Sequence, residues 1–290
     1  MKGIAFAPGH ISAFFEPVYV KPDLERSGSR GAGLSLSLGA ISQVTIQPAS
    51  HRTITVSING KSSNAPVTTS AVNHLVSDAP LRVTVNTTLD LPVSQGFGMS
   101  AAGALSTTLA LAEILNLPSH SAIQAAHYAE IESHTGLGDV VASSFGGIEI
   151  RRKAGLPPWG MLEHIPGKYD IVLCVIGKKI ETKKILADST KLQQIASYGR
   201  YCTKKLLEKP SLENLFSLGL QFTRKINLAD EIVLQAIEKA NTKGMASMCM
   251  LGNSVFAVGD TKALCTILSA YGTVFCCTID EKGARILQGT

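Results

Sequence analysis

"PVSQGFGMSAAGAL", Pro92 to Leu105, is rich in glycine, carries no charge and runs into a helical pattern. Glycine-rich turns that open helices bind anions, because unpaired backbone N–H groups and the positive end of the helix converge there. The residues exclude the commonest versions. A P-loop needs Gly-Lys-Ser/Thr after its glycines, and no lysine follows here. A dinucleotide fingerprint fits poorly, since its third glycine falls on Ala101 and no acidic residue lies roughly 20 positions on. What is left is a site built from main chain: N–H groups of Gly96, Phe97, Gly98, Met99, Ser100 and Ala101 around a di- or triphosphate. Small residues at Ala101, Ala102 and Gly103 permit close approach, and the Ser100 hydroxyl can meet a metal ion. The other reading is a tight strand-to-helix turn whose small residues only pack.

Two further stretches weigh on that choice. In "ESHTGLGDVVASSFGG", Glu132 to Gly147, Asp139 follows two glycines and precedes an apolar helical turn. It is either a helix N-cap or a carboxylate aimed into a cleft, where it accepts a proton from a substrate hydroxyl or polarises it. Glu130, on the preceding helix, offers the hard oxygen that magnesium prefers, with Glu132 as the competing choice. In "APGHISAFFEP", Ala7 to Pro17, a Pro-Gly turn after a strand is expected to expose His10 at the strand's carboxyl end, where open sheets place ligands.

Outward from these motifs, strands and helices interleave. "RTITVSING" puts Ile54, Val56 and Ile58 on one face and then offers Asn59-Gly60 as a hairpin turn. Leu81 to Leu91 reads as a strand. Leu105, Leu109, Ala112 and Leu115 recur at helical spacing until Pro118. A helix is expected from Ser121 to Ser133 and a strand at Ile148 to Ile150, before the basic, proline-containing break "RRKAGLPPWG". Beyond the break, strands are expected at 171–176, 246–250, 254–258 and 273–279, with a helix at 229–241 the clearest of several. This pattern implies two α+β domains with a cleft between them, 1–155 and 156–290.

With 290 residues, 45% hydrophobic and 17% charged, the composition is that of a globular protein. No apolar run approaches the ~20 residues of a membrane span, so no membrane association is expected. The opening "MKGIAFAPGHISAFFEP" lacks a signal peptide's long apolar core, so the expected compartment is the cytoplasm. The net charge of +5 suits an anionic ligand but is too scattered to argue for nucleic acid. Its densest clusters, Arg151–Lys153 and Gly177–Lys184, read as solvated faces of a linker and a helix. The six cysteines form no C-x-x-C pair and read as buried reduced thiols, with neither zinc site nor disulfides expected.

Taken together, the three motifs resemble the GHMP kinases. Pro92, Gly96, Gly98, Ser100, Ala101 and Ala102 match the family's central P-x-x-x-G-x-G-x-S-A-A loop position for position. Within that superfamily the chain is similar to the archaeal pantoate kinases: histidine replaces lysine in "PGHISAFF", and "GSRGAG", "GFGMSAAGALS", "GLGDVV" and "MLGN" all occur. The resemblance implies an N-terminal nucleotide-binding domain, a C-terminal ferredoxin-like α+β domain and an active site between them. It implies ATP-dependent phosphorylation of the primary hydroxyl of pantoate, with Mg²⁺, as a step toward coenzyme A. Residues 92 and 96–102 would hold ATP, Ser100 and Glu130 the metal, Asp139 and His10 the chemistry, and His10, Arg30 and Asn253 the acceptor. A homodimer is the expected assembly. Another small alcohol such as mevalonate or homoserine, or a non-catalytic nucleotide-binding homologue, stays open. The late motif "MCMLGNSVFAV" has only Gly252 where the superfamily is glycine-rich.

Overall fold

Two long antiparallel strands, β1 (Lys2–Val18) and β2 (Gly28–Pro48), pair from Lys2↔Thr45 to Val18↔Gly28 in a computed structural model that describes residues 1–76, 79–134, 136–178 and 188–287. The Pro-Gly turn expected at Pro8 is instead a bulge in a continuous strand, with register shifts between Pro8 and His10 and between Ser12 and Phe14. Proline cannot donate to the ladder, and the extra residue re-aims the side chains beyond it. There is also no room to turn: a Cβ on Gly9 would stand 3.0 Å from the Leu38 carbonyl oxygen and 3.1 Å from that of Phe97.

Strands β3 (Thr53–Ile58) and β4 (Lys61–Ser63) form the hairpin read from the sequence, turning on Asn59 and Gly60 at φ 49° and 76°. Helix α1 (Pro66–Val76) leads to β5 (Leu81–Leu89), parallel to β3 and antiparallel to β2. Helix α2 (Met99–Ile114) is more deeply enclosed than its leucine spacing suggests: fourteen of its residues are buried, so it has no solvent face to show as a polar stripe. Its small side chains let it lie against β1 and β2 on one side and α1 and α3 (Ser119–Ser133) on the other. The buried hydroxyls satisfy one another, Ser42 Oγ lying 2.8 Å from Thr87 Oγ1 and 2.7 Å from Ser106 Oγ.

Helix α4 (Asp139–Phe145) is followed by β6 (Ile148–Lys153) on β2 and β7 (Met161–Ile165) on β6. The basic break lies between two strands of one sheet, and the second sheet starts after Ile165. The second sheet holds β8 (Asp170–Val175), β9 (Gly244–Met248), β10 (Ser254–Gly259) and β11 (Thr273–Thr278) in the order β11-β8-β10-β9. All its pairings are antiparallel. With α5 (Ser189–Glu208), α6 (Leu212–Ile226) and α7 (Glu231–Ala240) before β9 and α8 (Thr261–Leu268) before β11, this is a ferredoxin-like arrangement. The chain then returns to the first sheet, β12 (Arg285–Ile286) pairing with β1.

The two halves share a core. Phe222 of α6 lies 6.4 Å from Phe14 and 6.2 Å from Phe15, ring centre to ring centre, and a Cβ on Gly199 of α5 would run into the Phe15 carbonyl. The strand that carries His10 is thus clamped from the C-terminal side. Among the described residues no helix is long and apolar enough to cross a membrane. Of the Gly177–Lys184 cluster, all beyond Lys178 lies outside the described residues.

The cysteines depart from the expectation in one place. Cys276 is exposed and Cys265 half-buried, with sulfurs 3.1 Å apart, while the other four are buried. Burial and its sulfur neighbour push the Cys265 thiol up to about 11. A thiol reagent is therefore expected to modify Cys276 first in the native protein and the buried four only after unfolding, as read by peptide mass mapping.

Candidate active site

Three residues in five take the left-handed conformation where β5 gives way to α2: Ser94 (φ 61°), Gly96 (φ 77°) and Gly98 (φ 59°). Gly98 caps α2 without any side-chain hydrogen bond, which leaves the first amides of the helix for a ligand. From behind, the loop is held by backbone and by the late motif. The His10 amide donates to the Phe97 carbonyl at 3.0 Å, and the Ser254 hydroxyl to that of Gln95 at 2.5 Å. A Cβ on Gly252 would overlap the Gln95 carbonyl. Gly252 thus allows two backbones to touch, a buttressing role.

In front of the loop lies a cavity of about 610 Å³. Gly96–Ala101, with Ser100 exposed, line it together with Glu130, Gly136–Gly138 and Asp139. Ile58, Ala65–Val67 and Leu89 add apolar lining, and Ser12, Phe15 and Ser29 are also on its surface. Pro92 and Ala102 do not line the cavity: Pro92 leads the chain into the loop, and Ala102, fully buried, packs behind it.

Asp139 is the first residue of α4, with Gly138 in the capping position. Its side chain is 26% exposed, and Oδ1 accepts from His10 Nδ1 at 2.7 Å. A Cβ on Gly98 would come within 3.3 Å of the Asp139 side chain, so loop and carboxylate face each other at van der Waals distance. Glu130 lines the same cavity; its Oε2 lies 3.5 Å from the Val140 amide, and its Oε1 is buried without a partner. Burial, and then the charge of Asp139, push the Glu130 carboxyl up to about 8. Two carboxyl groups so placed are a pair that a cation would relieve. Glu132 is turned away and meets His74 at 2.9 Å.

His10 is not exposed, contrary to expectation. It has 0% accessibility because the strand continues past it, and it lies outside the cavity lining. Both ring nitrogens are engaged, Nδ1 by Asp139 and Nε2 by Glu149 Oε1 at 3.0 Å. Burial alone would lower its pKa, yet the charge of Glu149 and the bonds to Asp139 and Glu149 raise it to about 9. Arg151, read from the sequence as part of a solvated cluster, is 2% exposed; it pairs with Glu149 and donates to Ser12 Oγ at 3.0 Å. Glu149 and Arg151 are the site residues that sequence reasoning missed. The signal is their i, i+2 spacing in "IEIRRK", which puts both on one face of a strand.

Arg30 and Asn253 do not line the cavity either. The Arg30 guanidinium donates to Glu16 Oε2 at 3.1 Å and to the Arg152 carbonyl at 3.0 Å. Glu16 is also held by Arg200 of α5 at 2.8 Å. Asn253 donates to the Lys178 carbonyl at 2.9 Å and secures that segment.

A glycine turn with free helix-start amides and a carboxylate beside it on one cavity is the layout of a phosphoryl-transfer site. Comparison with known proteins agrees. The family model of the GHMP kinases N terminal domain matches residues 66–147. A pantoate kinase of Methanocaldococcus jannaschii is 31% identical over 277 residues, 94% of this chain and 99% of that one. A pantoate kinase of Thermococcus kodakarensis is 35% identical over 261 residues, 88% of this chain and 86% of its own. A solved structure described as "Phosphotransferase related to CoA biosynthesis pathway" superposes with a TM-score of 0.89 at 31% identity, covering 99% of this chain and 98% of that one. The chain therefore belongs to the GHMP kinases, in the same family as these pantoate kinases.

Proposed function

We propose that this protein transfers the γ-phosphoryl group of ATP to the primary hydroxyl of pantoate, giving 4-phosphopantoate and ADP. One observation carries the reading: the Asp139 carboxylate, open to the cavity, stands directly beside the glycine turn that starts α2. The likeness to pantoate kinases over nearly the whole chain supports the choice of acceptor.

Backbone amides from Gly96 to Ala101 hold the phosphates, and the apolar lining of the cavity, around Ile58 and Ala65–Val67, takes the base. Among the described residues no cluster of three or more His, Cys, Asp or Glu side chains forms a ready metal cage. That suits Mg²⁺, which is commonly held by one or two protein oxygens plus substrate phosphates. The orphaned Glu130 Oε1 and the exposed Ser100 hydroxyl fit such an ion, which when bound neutralises phosphate charge. Asp139 orients the acceptor hydroxyl and takes its proton as the hydroxyl oxygen bonds to phosphorus and the bridging oxygen leaves with ADP. His10, enclosed behind it, holds Asp139 in place rather than touching the acceptor. Ser12 and Ser29 are the donors we assign to pantoate's carboxylate, with Arg151 behind them. Arg30 and Asn253 support the walls. The cytoplasm as compartment and a homodimer as assembly complete the proposal, the latter checked by light scattering.

The test is ADP release over a panel of alcohols. The expected result is turnover with pantoate far above that with mevalonate, homoserine or sugars; best turnover on mevalonate would overturn the acceptor, and no turnover on any alcohol the kinase reading.

A further inference from the structure

Asp139 and three ionisable groups enclosed behind it, His10, Glu149 and Arg151, form one cluster. His10 Nδ1 meets Asp139 Oδ1 at 2.7 Å, His10 Nε2 meets Glu149 Oε1 at 3.0 Å, and Arg151 pairs with that same Glu149 oxygen. His10 and Glu149 are fully buried and Arg151 nearly so. Such a cluster constrains the protons. An ionised carboxylate only accepts, and a neutral imidazole has a single N–H. Nδ1 faces Asp139, and Nε2 has two neighbours, Glu149 Oε1 at 3.0 Å and Arg151 Nη1 at 3.3 Å; a neutral ring accepting from Arg151 would also set its Nε2 lone pair against the nearer Glu149 oxygen. A ring carrying both protons satisfies both carboxylate contacts and makes the four groups sum to zero charge: Asp139 and Glu149 against His10 and Arg151.

The surroundings point the same way. The titratable groups near His10 are Asp139 from α4, Glu149 and Arg151 from β6 and, one step further, Glu130 from α3. Strand β2 passes the ring with Gly33 and Ser35, and the glycine turn brings no charged side chain. Asp139 is partly in contact with solvent, so water screens its charge; Glu149 is not screened.

Resting on the assignment of Asp139 to the acceptor hydroxyl, we propose that Glu149 is a positioning residue for phosphoryl transfer: it keeps His10 doubly protonated, so that a buried imidazolium gives Asp139 the steady positive charge an ammonium group would give. The carboxylate is thereby held in one rotamer as the acceptor hydroxyl approaches it. The raised pKa of His10, about 9, with Glu149 first among the groups that raise it, agrees with this arrangement. The ring is therefore charged below about pH 9 and loses its charge as the pH rises through that value. Without the Glu149 charge, burial still lowers the pKa of the ring and only Asp139 opposes it, so the ring loses its proton at lower pH than in the wild type.

Two measurements test the proposal. The first is the pH profile of kcat for the wild type and Glu149→Gln, with ATP and pantoate saturating. The alkaline limb is expected to move from near pH 9 toward neutral pH, lowering kcat at pH 8 by roughly tenfold, with KM for ATP unchanged. The second is the ¹⁵N spectrum of the histidine rings in wild-type protein at pH 8, with His10 assigned through its loss in His10→Gln. Both His10 nitrogens are expected to be protonated. A folded Glu149→Gln protein with an unmoved limb, or a neutral His10 ring in the wild type, would overturn the proposal; should the variant not fold, the wild-type spectrum still decides. A wild type that phosphorylates no alcohol would instead sink the functional reading, and the catalytic meaning of Glu149 with it.

Discussion

Asp139→Asn is expected to lower kcat by about a thousandfold while leaving Mg·ATP affinity within about twofold. Asparagine keeps the shape of the side chain and its oxygen still accepts from His10 Nδ1, so the site does not collapse. What disappears is the negative charge that takes the acceptor's proton. ATP is barely affected because its phosphates are held by the main chain of the glycine turn. Asp139 also begins α4, where its charge complements the helix N-terminus. That helix-terminus contribution is worth about 0.3–1 kcal/mol. A steady-state ADP assay paired with calorimetry separates the two roles. Near-normal kcat in the variant would reduce Asp139 to a residue of the helix start.

Gly252→Ala is expected to raise KM for ATP by about tenfold or more and to lower Tm, although Gly252 contributes no side chain to the cavity. The added methyl would be driven into the Gln95 carbonyl and the Gly96 amide. Both are backbone groups with little freedom to yield, and overpacking of this kind typically costs about 1–3 kcal/mol. The position is not one that needs a left-handed residue; that burden falls on its neighbour Leu251 at φ 63°. The effect is therefore one of space, and it moves the loop that holds phosphate. Catalysis at saturating ATP should suffer less, because Asp139 is held by α4 and His10 rather than by the late motif. A variant with unchanged KM and Tm would show that the late motif does not shape the loop.

These two positions also show how far a single sequence can be read. The glycine turn is legible because left-handed backbone and close approach leave few alternatives to glycine, and Gly96 and Gly98 take those conformations. Asp139 is legible as a carboxylate after two glycines at a helix start. The second half is readable as alternating strands and helices, whose buried strands are continuous apolar runs. His10 stands out in the sequence, but its setting is misjudged there. A Pro-Gly pair reads locally as a turn, whereas pairing with β2 along the whole of β1 carries the strand straight through it. Arg151 is misread for a related reason. Three basic residues in a row look solvated, yet strand alternation and the carboxylate of Glu149 draw the first of them inside. Pairings between residues far apart in the chain, such as His10 with Glu149 or Gly252 with Gln95, leave no local pattern in a single sequence.

The central claim is that main-chain donors from Gly96 to Ala101 present a triphosphate to Asp139 in the cavity. The most direct measurement is a crystal structure with Mg²⁺, a non-hydrolysable ATP analogue and pantoate. The predicted result puts the phosphates on those amides, with the pantoate primary hydroxyl between the terminal phosphorus and the Asp139 carboxylate. A nucleotide bound away from the glycine turn, or an acceptor hydroxyl out of reach of Asp139, would contradict it.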